Sequence, residues 1–193
     1  MSAALSKGGN ASLVKEAGRV VTEILVGFGW TVPGSAEVPF DLDVCAIACD
    51  ATGKALGDPW LVFYGNAVAP GRAVIHNGDD PAGQGEGNHE SLSVRLRRLP
   101  GLVTRMIFSV SIYEAERRQQ NFSHVGSAFV RVVDQASGNE LVRYNLDEPF
   151  TIETAVIFGE LYRKDAGEWK FRAVGQGYRH GLKDLLRDHA VPV

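Results

Sequence analysis

The sequence predicts an all-β protein, a sandwich of two mainly antiparallel sheets with one or two short helices. Short segments in which apolar and polar residues alternate dominate the 193-residue chain, and this period of two is typical of half-buried strands. Turn residues separate the segments, as in Val32-Pro33-Gly34, Gly57-Asp58-Pro59 and Ser137-Gly138-Asn139. About ten such strands favour a sandwich. Because no linker or internal repeat interrupts the pattern, we expect one domain over residues 1–193.

The alternation is clearest in two segments, Ser91–Arg97 and Arg105–Tyr113, where every second residue is apolar. The other predicted strands are Val20–Val26, Phe40–Cys49, Trp60–Tyr64, Ala73–His76, Ala128–Val133, Leu141–Tyr144, Ala155–Arg163 and Trp169–Val174. Leucines at helical spacing predict a C-terminal helix over His180–His189, and the charged run Glu114–Gln120 predicts a short polar helix.

Composition and charge argue against several classes of protein. The formal net charge of -3 does not indicate binding to nucleic acid or to an anionic membrane. No apolar run is long enough to span a bilayer, and the first residues lack the apolar core of a signal peptide, so we expect a cytoplasmic protein. On one strand Cys45 and Cys49 would lie about 13 Å apart. That is too far for a disulfide, so we expect buried free thiols.

The segment Gly78–Glu90 is the most informative part of the chain. It holds four carboxylates and four glycines, with no Lys or Arg. Two like charges about 4 Å apart repel by about 4 kcal/mol at an effective dielectric near 20, so such a loop favours a bound hard cation. Calcium suits it because this ion takes about six to eight oxygen ligands. Asp41 and Asp43 would share one face of a strand and add a rigid pair of carboxylates.

Other interpretations of the acidic segment stay open. It could be a solvated loop whose charges are balanced by nearby arginines. His76 and His89 flank it and raise the possibility of zinc, although zinc prefers nitrogen and sulfur ligands. The spacing does not match an EF-hand, and the segment lacks the lysine and the third glycine of phosphate-binding loops.

A series of short motifs runs in order along nearly the whole chain. They are Lys7-Gly8-Gly9-Asn10, Gly27-Phe28-Gly29-Trp30, Phe40-Asp41-Leu42-Asp43, Val62-Phe63-Tyr64, His76-Asn77-Gly78-Asp79-Asp80, Gly83-Gln84-Gly85-Glu86-Gly87, Gly159-Glu160-Leu161-Tyr162-Arg163 and Gly175-Gln176-Gly177-Tyr178. Together they resemble the TerD-type tellurite-resistance and stress proteins. The resemblance implies a β-sandwich that binds calcium. The ligands it implies are Asp41, Asp43, Asp79, Asp80, Glu86, Asn88 and Glu90.

The chain departs from the family pattern at four positions. Thr31, Pro39, Asn88 and His89 stand where the family usually has acidic residues. Each change removes a negative oxygen donor, and calcium affinity follows the charge of the ligands. We therefore expect fewer ions or weaker binding than the family pattern implies, and the sequence does not fix the number of ions.

The resemblance implies a calcium-dependent interaction module or scaffold rather than an enzyme. The implied partners are other proteins of bacterial stress clusters, without direct contact to nucleic acid. Peripheral association with membrane complexes and the oligomeric state are left open. The alternatives are a metal-dependent enzyme with His76 or His89 as its base, and a protein that binds a nucleotide or an oxyanion at the same acidic site. No residue indicates tellurium chemistry.

Overall fold

A computed structural model of the chain describes residues 2–32, 34, 38–79, 88–164 and 167–191. Within these ranges the protein has twelve β-strands and three short α-helices. The strands are β1 Ala3–Leu5, β2 Asn10–Ser12, β3 Glu23–Thr31, β4 Leu42–Cys49, β5 Leu61–Val62, β6 Val74–Asp79, β7 Glu90–Arg95, β8 Arg105–Ile112, β9 Gly126–Asp134, β10 Glu140–Asn145, β11 Ala155–Arg163 and β12 Trp169–Tyr178. The helices are α1 Leu13–Ala17, α2 Ala115–Arg118 and α3 Gly181–Asp188.

The strands form two six-stranded sheets. The first sheet has the order β1-β10-β9-β3-β7-β6, and the second has the order β2-β12-β11-β8-β4-β5. β1 pairs with β10 in parallel, and the other described neighbours are antiparallel. The predicted fold class, a sandwich of two mainly antiparallel sheets with few short helices, is confirmed.

The main hydrophobic core lies between the inner faces of the two sheets. Val26 and Phe28 of the first sheet are fully buried there, as are Val44 and Phe158 of the second. The rings of Phe28 and Phe158 meet edge to face, with 5.9 Å between their centroids. Burying a side chain of this size contributes about 1.5–3 kcal/mol, so contacts of this kind hold the sheets together.

A second, smaller core covers the outer face of the second sheet. Cys45, Ile47 and Cys49 of β4 pack there against α3, which buries Leu185 and Leu186. β4 is therefore apolar on both faces. The two cysteines are free and buried, as predicted. Burial raises the pKa of Cys45 to about 11 and that of Cys49 to about 12, so both thiols stay protonated at neutral pH.

Several predicted boundaries were wrong for identifiable reasons. β3 spans Glu23–Thr31 rather than Val20–Val26, because glycines inside the strand obscure its alternation. The segment predicted as Trp60–Tyr64 forms only the two-residue strand Leu61–Val62, after a 3₁₀ turn that contains a proline. Ser91–Arg97 ends in another 3₁₀ turn, Leu96–Arg98.

Three short elements near the N-terminus were missed, namely β1, β2 and α1. Three residues of strand, or five of helix, are too few for a period to be recognised. Within the described ranges, no helix is long and apolar enough to cross a membrane.

Candidate metal centre

The predicted site residues that the structure describes lie at the end of the sandwich where β4 and β7 begin and β6 ends. The antiparallel register of β6 and β7 places Asp79 opposite Glu90. Glu90 shares the inner face of β7 with Leu92 and is buried, with 5% of its surface exposed. Its Oε2 atom accepts a hydrogen bond of 3.0 Å from the backbone N–H of Val44, which joins the two sheets at this end.

His76 fixes the orientation of the Glu90 carboxylate. The His76 Nε2 atom lies 3.1 Å from Glu90 Oε2, and both side chains are almost fully buried. The backbone N–H of Gly78 donates to His76 Nδ1 at 3.0 Å, so Nδ1 carries a lone pair. The ring proton must therefore sit on Nε2 and point at Glu90, which makes His76 a neutral donor rather than a cation.

Asp43 lies beside this arrangement, on the strand residue next to Val44. It is half-buried and stands opposite Ser111 of β8 in the register of the second sheet. Besides burial, which is the largest cause, the negative charges of both Asp43 and Glu90 raise the pKa of the Cys45 thiol. Since both carboxylates act on the same buried thiol, negative charge accumulates around the start of β4.

Asp41 is more open to solvent and partly compensated. Its side chain is 57% exposed, and its Oδ2 atom lies 3.8 Å from Arg118 Nη1. An exposed pair at this separation stabilises the fold by at most about 1 kcal/mol. Asp41 thus keeps a carboxylate near Asp43 without a close, buried counter-charge in the described part of the chain.

The side chain of Asn88 is already engaged on the outer face of the first sheet. Its Oδ1 accepts a hydrogen bond of 2.8 Å from Arg131 Nε. The side chain lies directly over Gly27, where an added Cβ would come within 2.2 Å of Asn88 Oδ1. Its predicted role as a ligand stays a prediction.

The remaining predicted ligands are described only in part. Asp79 is the last residue of β6, and Asp80 and Glu86 lie outside the described residues. Within the described ranges, no group of three or more His, Cys, Asp or Glu side chains is arranged to hold a metal ion. The predicted set of ligands therefore stays a prediction.

The two histidines beside the loop do not converge on one point. The His89 ring stacks on Trp30 with 5.0 Å between centroids, and its Nδ1 accepts from the Trp30 backbone N–H at 3.3 Å. Both nitrogens of His76 are occupied by Gly78 and Glu90. His76 is therefore not the spare base that the alternative of a metal-dependent enzyme requires.

The chemistry of the available donors fits a hard cation better than zinc. Asp41, Asp43 and Glu90 offer carboxylate oxygens, which calcium prefers. The nearby Cys45 sulfur is buried and hydrogen-bonded to Ser109 Oγ at 2.9 Å. His76 offers no free nitrogen.

A small pocket of about 190 Å³ opens beside Asp43 on the outer face of the second sheet. Tyr64 and Tyr113 line it, and they are 61% and 42% exposed. Partial desolvation of this largely exposed phenol, followed by the charges of Asp43, Tyr113 and Asp41, raises the pKa of Tyr64. Two exposed aromatic side chains therefore border the acidic end of the sandwich.

The fold and this end of it define a class of protein, a two-sheet β-sandwich with carboxylates gathered where β4 and β7 begin. The TerD domain model matches residues 1–189 of the chain. The chain belongs to the TerD domain family, whose members are tellurium resistance and general stress proteins. The predicted family is thereby confirmed.

Known relatives match along their whole length. "Tellurium resistance protein TerD" of Serratia marcescens is 44% identical over 191 residues, which are 99% of this chain and 98% of the relative. "General stress protein 16U" of Bacillus subtilis (strain 168) is 40% identical over 194 residues, covering all of both chains. A solved homologue of telluride resistance protein (TerD) from Streptomyces coelicolor A3(2) superposes with a TM-score of 0.67. It is 21% identical and covers 90% of this chain and 100% of its own, and this likeness supports the fold alone.

Proposed function

We propose that the chain is a calcium-binding stress-response protein that acts as a calcium-dependent interaction module, and not as an enzyme. The relatives' names connect them with tellurium resistance and general stress, and we extend that role to this chain. We place it in the cytoplasm, where buried free thiols such as Cys45 and Cys49 suit a reducing compartment.

The observation that carries the proposal is the environment of Glu90. This buried carboxylate is held by two neutral donors, the Val44 N–H and the His76 ring, while Asp43 adds a second negative charge nearby. Burying a carboxylate is costly unless a positive charge or several hydrogen bonds compensate it. Within the described ranges, the side chain that faces the Glu90 carboxylate is His76, and its ring is neutral. A bound Ca²⁺ would supply the missing positive charge.

The contacts of Glu90 and Asp43 indicate which parts of the protein calcium binding could affect. Glu90 belongs to the first sheet and its hydrogen-bond partner Val44 to the second, so the position of this carboxylate is coupled to both sheets. Tyr64 and Tyr113 flank Asp43 at the surface. Because tyrosines are enriched in the centres of protein interfaces, we propose this face as the contact for another protein of the same stress cluster.

Calorimetric titration with calcium in chelator-stripped buffer tests the binding. We expect saturable heat, and calcium at about 100 times its Kd should stabilise the fold by about 2.7 kcal/mol. Asp43→Asn keeps the size of the side chain and removes its charge, so it should abolish most of this shift. The control is Glu16→Gln, which removes an exposed carboxylate from α1, the helix that follows edge strand β2, and should leave the shift intact.

Two results would contradict this proposal. If the wild-type chain shows neither heat nor thermal shift up to millimolar calcium, the binding proposal fails. If calcium binds equally well to the Asp43→Asn and Glu16→Gln variants, the ion lies elsewhere and the assignment to this end of the sandwich fails.

Co-purification of the chain with the other proteins of its stress cluster, in calcium and in chelator, tests the interaction role. We expect a complex in calcium that is lost in chelator and weakened by Tyr64→Ala. A complex that is indifferent to calcium would contradict the proposed switch even if calcium binds.

A further inference from the structure

A second, larger cavity lies on the outer face of the second sheet. Its volume is about 510 Å³, within the range of pockets that hold small organic ligands. Ile107 and Ile157 provide an apolar floor, and the rim is charged. The charged rim of the cavity at Arg105 lies six residues along β8 from Ser111, the register partner of Asp43. At about 3.3 Å per residue this arginine is roughly 20 Å from Ser111.

A buried carboxylate holds two arginines at the edge of this cavity. Glu160 is 3% exposed, and each of its oxygens faces a different guanidinium group. Oε2 lies 3.4 Å from Arg105 Nε, and Oε1 accepts a hydrogen bond from Arg172 Nη2. Since a guanidinium group has five N–H donors, each arginine keeps donors beyond those used by Glu160. The two side chains are 39% and 44% exposed, so their heads reach the open cavity.

The charge around the cavity favours an anion. Lys7, Arg105 and Arg172 line it against two acidic side chains, Glu160 and Asp188. Glu160 is enclosed between the arginines, and Asp188 interacts with the hydroxyl of Tyr178, which also lines the cavity. Both carboxylates are therefore engaged by the protein, while the arginines present positive charge to the cavity.

The wall of the cavity also contains an acceptor without a partner in the described part of the chain. His189 Nδ1 lies 2.9 Å from the carbonyl oxygen of Gly53, so Nδ1 must carry the proton that it donates. In the neutral ring Nε2 then has a lone pair, and this atom is buried without a hydrogen-bond partner in the part of the chain that the structure describes. Buried polar atoms are rarely left unsatisfied, and His189 lines the same cavity as the two arginines.

We propose that this cavity binds a small organic anion, whose carboxylate or phosphate group is held by Arg105 and Arg172 and whose apolar body rests on Ile107 and Ile157. Arginine is the side chain best suited to such groups because its planar fork makes two parallel hydrogen bonds. A hydroxyl or amine on the ligand would satisfy His189. This site is separate from the proposed calcium site and goes beyond the function proposed for it.

Four probes test the proposal on the full chain by NMR titration. Phenyl phosphate and benzoate carry both an anion and an apolar body, inorganic phosphate carries only the anion, and benzyl alcohol carries only the body. We expect saturable binding of at least one of the first two below about 5 mM, and about tenfold weaker binding of the last two. Binding should be the same in calcium and in chelator, which separates this site from the acidic end.

Variants identify the site. Arg172→Gln should weaken binding of the tighter probe about tenfold, and Arg172→Lys should weaken it less because the charge is kept while the planar fork is lost. Arg97→Gln, which changes an exposed arginine outside the cavity, should have no effect. The backbone spectrum of each variant shows whether it is folded, and Arg172→Lys serves as the test if Arg172→Gln is not.

Three results would overturn the proposal. They are the absence of saturable binding by both organic anions, equal affinity for inorganic phosphate and phenyl phosphate, and equal affinity of the wild type and the folded Arg172 variant.

Discussion

Replacing Glu90 by alanine should destabilise the protein far more than replacing it by glutamine. Glu90→Ala removes the acceptor of two buried donors, the Val44 N–H and the His76 Nε2–H. Each buried donor left unsatisfied costs about 1–3 kcal/mol, so the free energy of unfolding should fall by about 2–6 kcal/mol. For a domain of this size that loss lowers Tm by roughly 2–4 °C per kcal/mol. Glu90→Gln keeps an oxygen with two lone pairs and should cost less than about 1 kcal/mol.

Urea unfolding in the presence of a chelator measures both variants without any contribution from calcium. The two free energies of unfolding should differ by at least about 1 kcal/mol. If Glu90→Ala unfolds at the same urea concentration as Glu90→Gln, the hydrogen bonds from Val44 and His76 do not support this end of the sandwich. The same two variants also distinguish the structural role of Glu90 from its proposed role in calcium binding. Glu90→Gln should lose calcium affinity while it keeps most of the stability of the ion-free protein.

Three further outcomes follow from the packing and the pKa values. Gly159→Ala should cost about 1–3 kcal/mol in urea unfolding, because its Cβ would come within 2.3 Å of the buried Phe171 ring; a neutral effect would contradict the close packing. Leu185→Ala in α3 should cost about 2–5 kcal/mol, whereas the exposed neighbour Lys183→Ala should cost almost nothing; equal effects would mean that α3 does not cover the sheet. Burial raises the pKa of Cys45 from 9.0 to about 11, so the stability gained from the neutral thiol is complete below pH 9.0 and is lost as the pH rises towards 11. The free energy of unfolding should therefore fall between about pH 9 and about pH 11, and Cys45→Ala should show a smaller fall.

Alternation of apolar residues predicted most of the sandwich because most strands have one face in a dry core. Ala155–Arg163 was predicted with the bounds that the structure has, and the leucine spacing of α3 was equally informative. β3 was misplaced because Gly27 and Gly29 carry no side chain to show which face is buried. Position 27 favours glycine because the side chain of Asn88, which is distant in sequence, occupies the space that a Cβ would need.

The sequence indicates which region of the chain holds the candidate site, but it does not indicate how the side chains of that site contact one another. Asp41, Asp43 and Glu90 could be assigned to one acidic end because their residue types and their strand positions are local properties. The role of His76 was missed, although it follows Val74 on the core-facing side of β6, where a histidine is expected to be hydrogen-bonded. Its contact with Glu90 depends on the register of β6 and β7, which the sequence does not fix.

The cavity of Arg105, Arg172 and Glu160 could not be predicted for a related reason. Its three charged residues come from three strands, β8, β12 and β11, and only the pairing of those strands brings them together. No local period or motif in the sequence reports that pairing.

A crystal structure of the full chain grown in calcium, with the ion identified by its anomalous scattering, tests the central proposal most directly. The proposal predicts a calcium ion at the acidic end of the sandwich, with a carboxylate oxygen of Asp43 or Glu90 at about 2.3–2.6 Å. A structure at millimolar calcium with no ion at this end, or with ions bound only elsewhere, would contradict it.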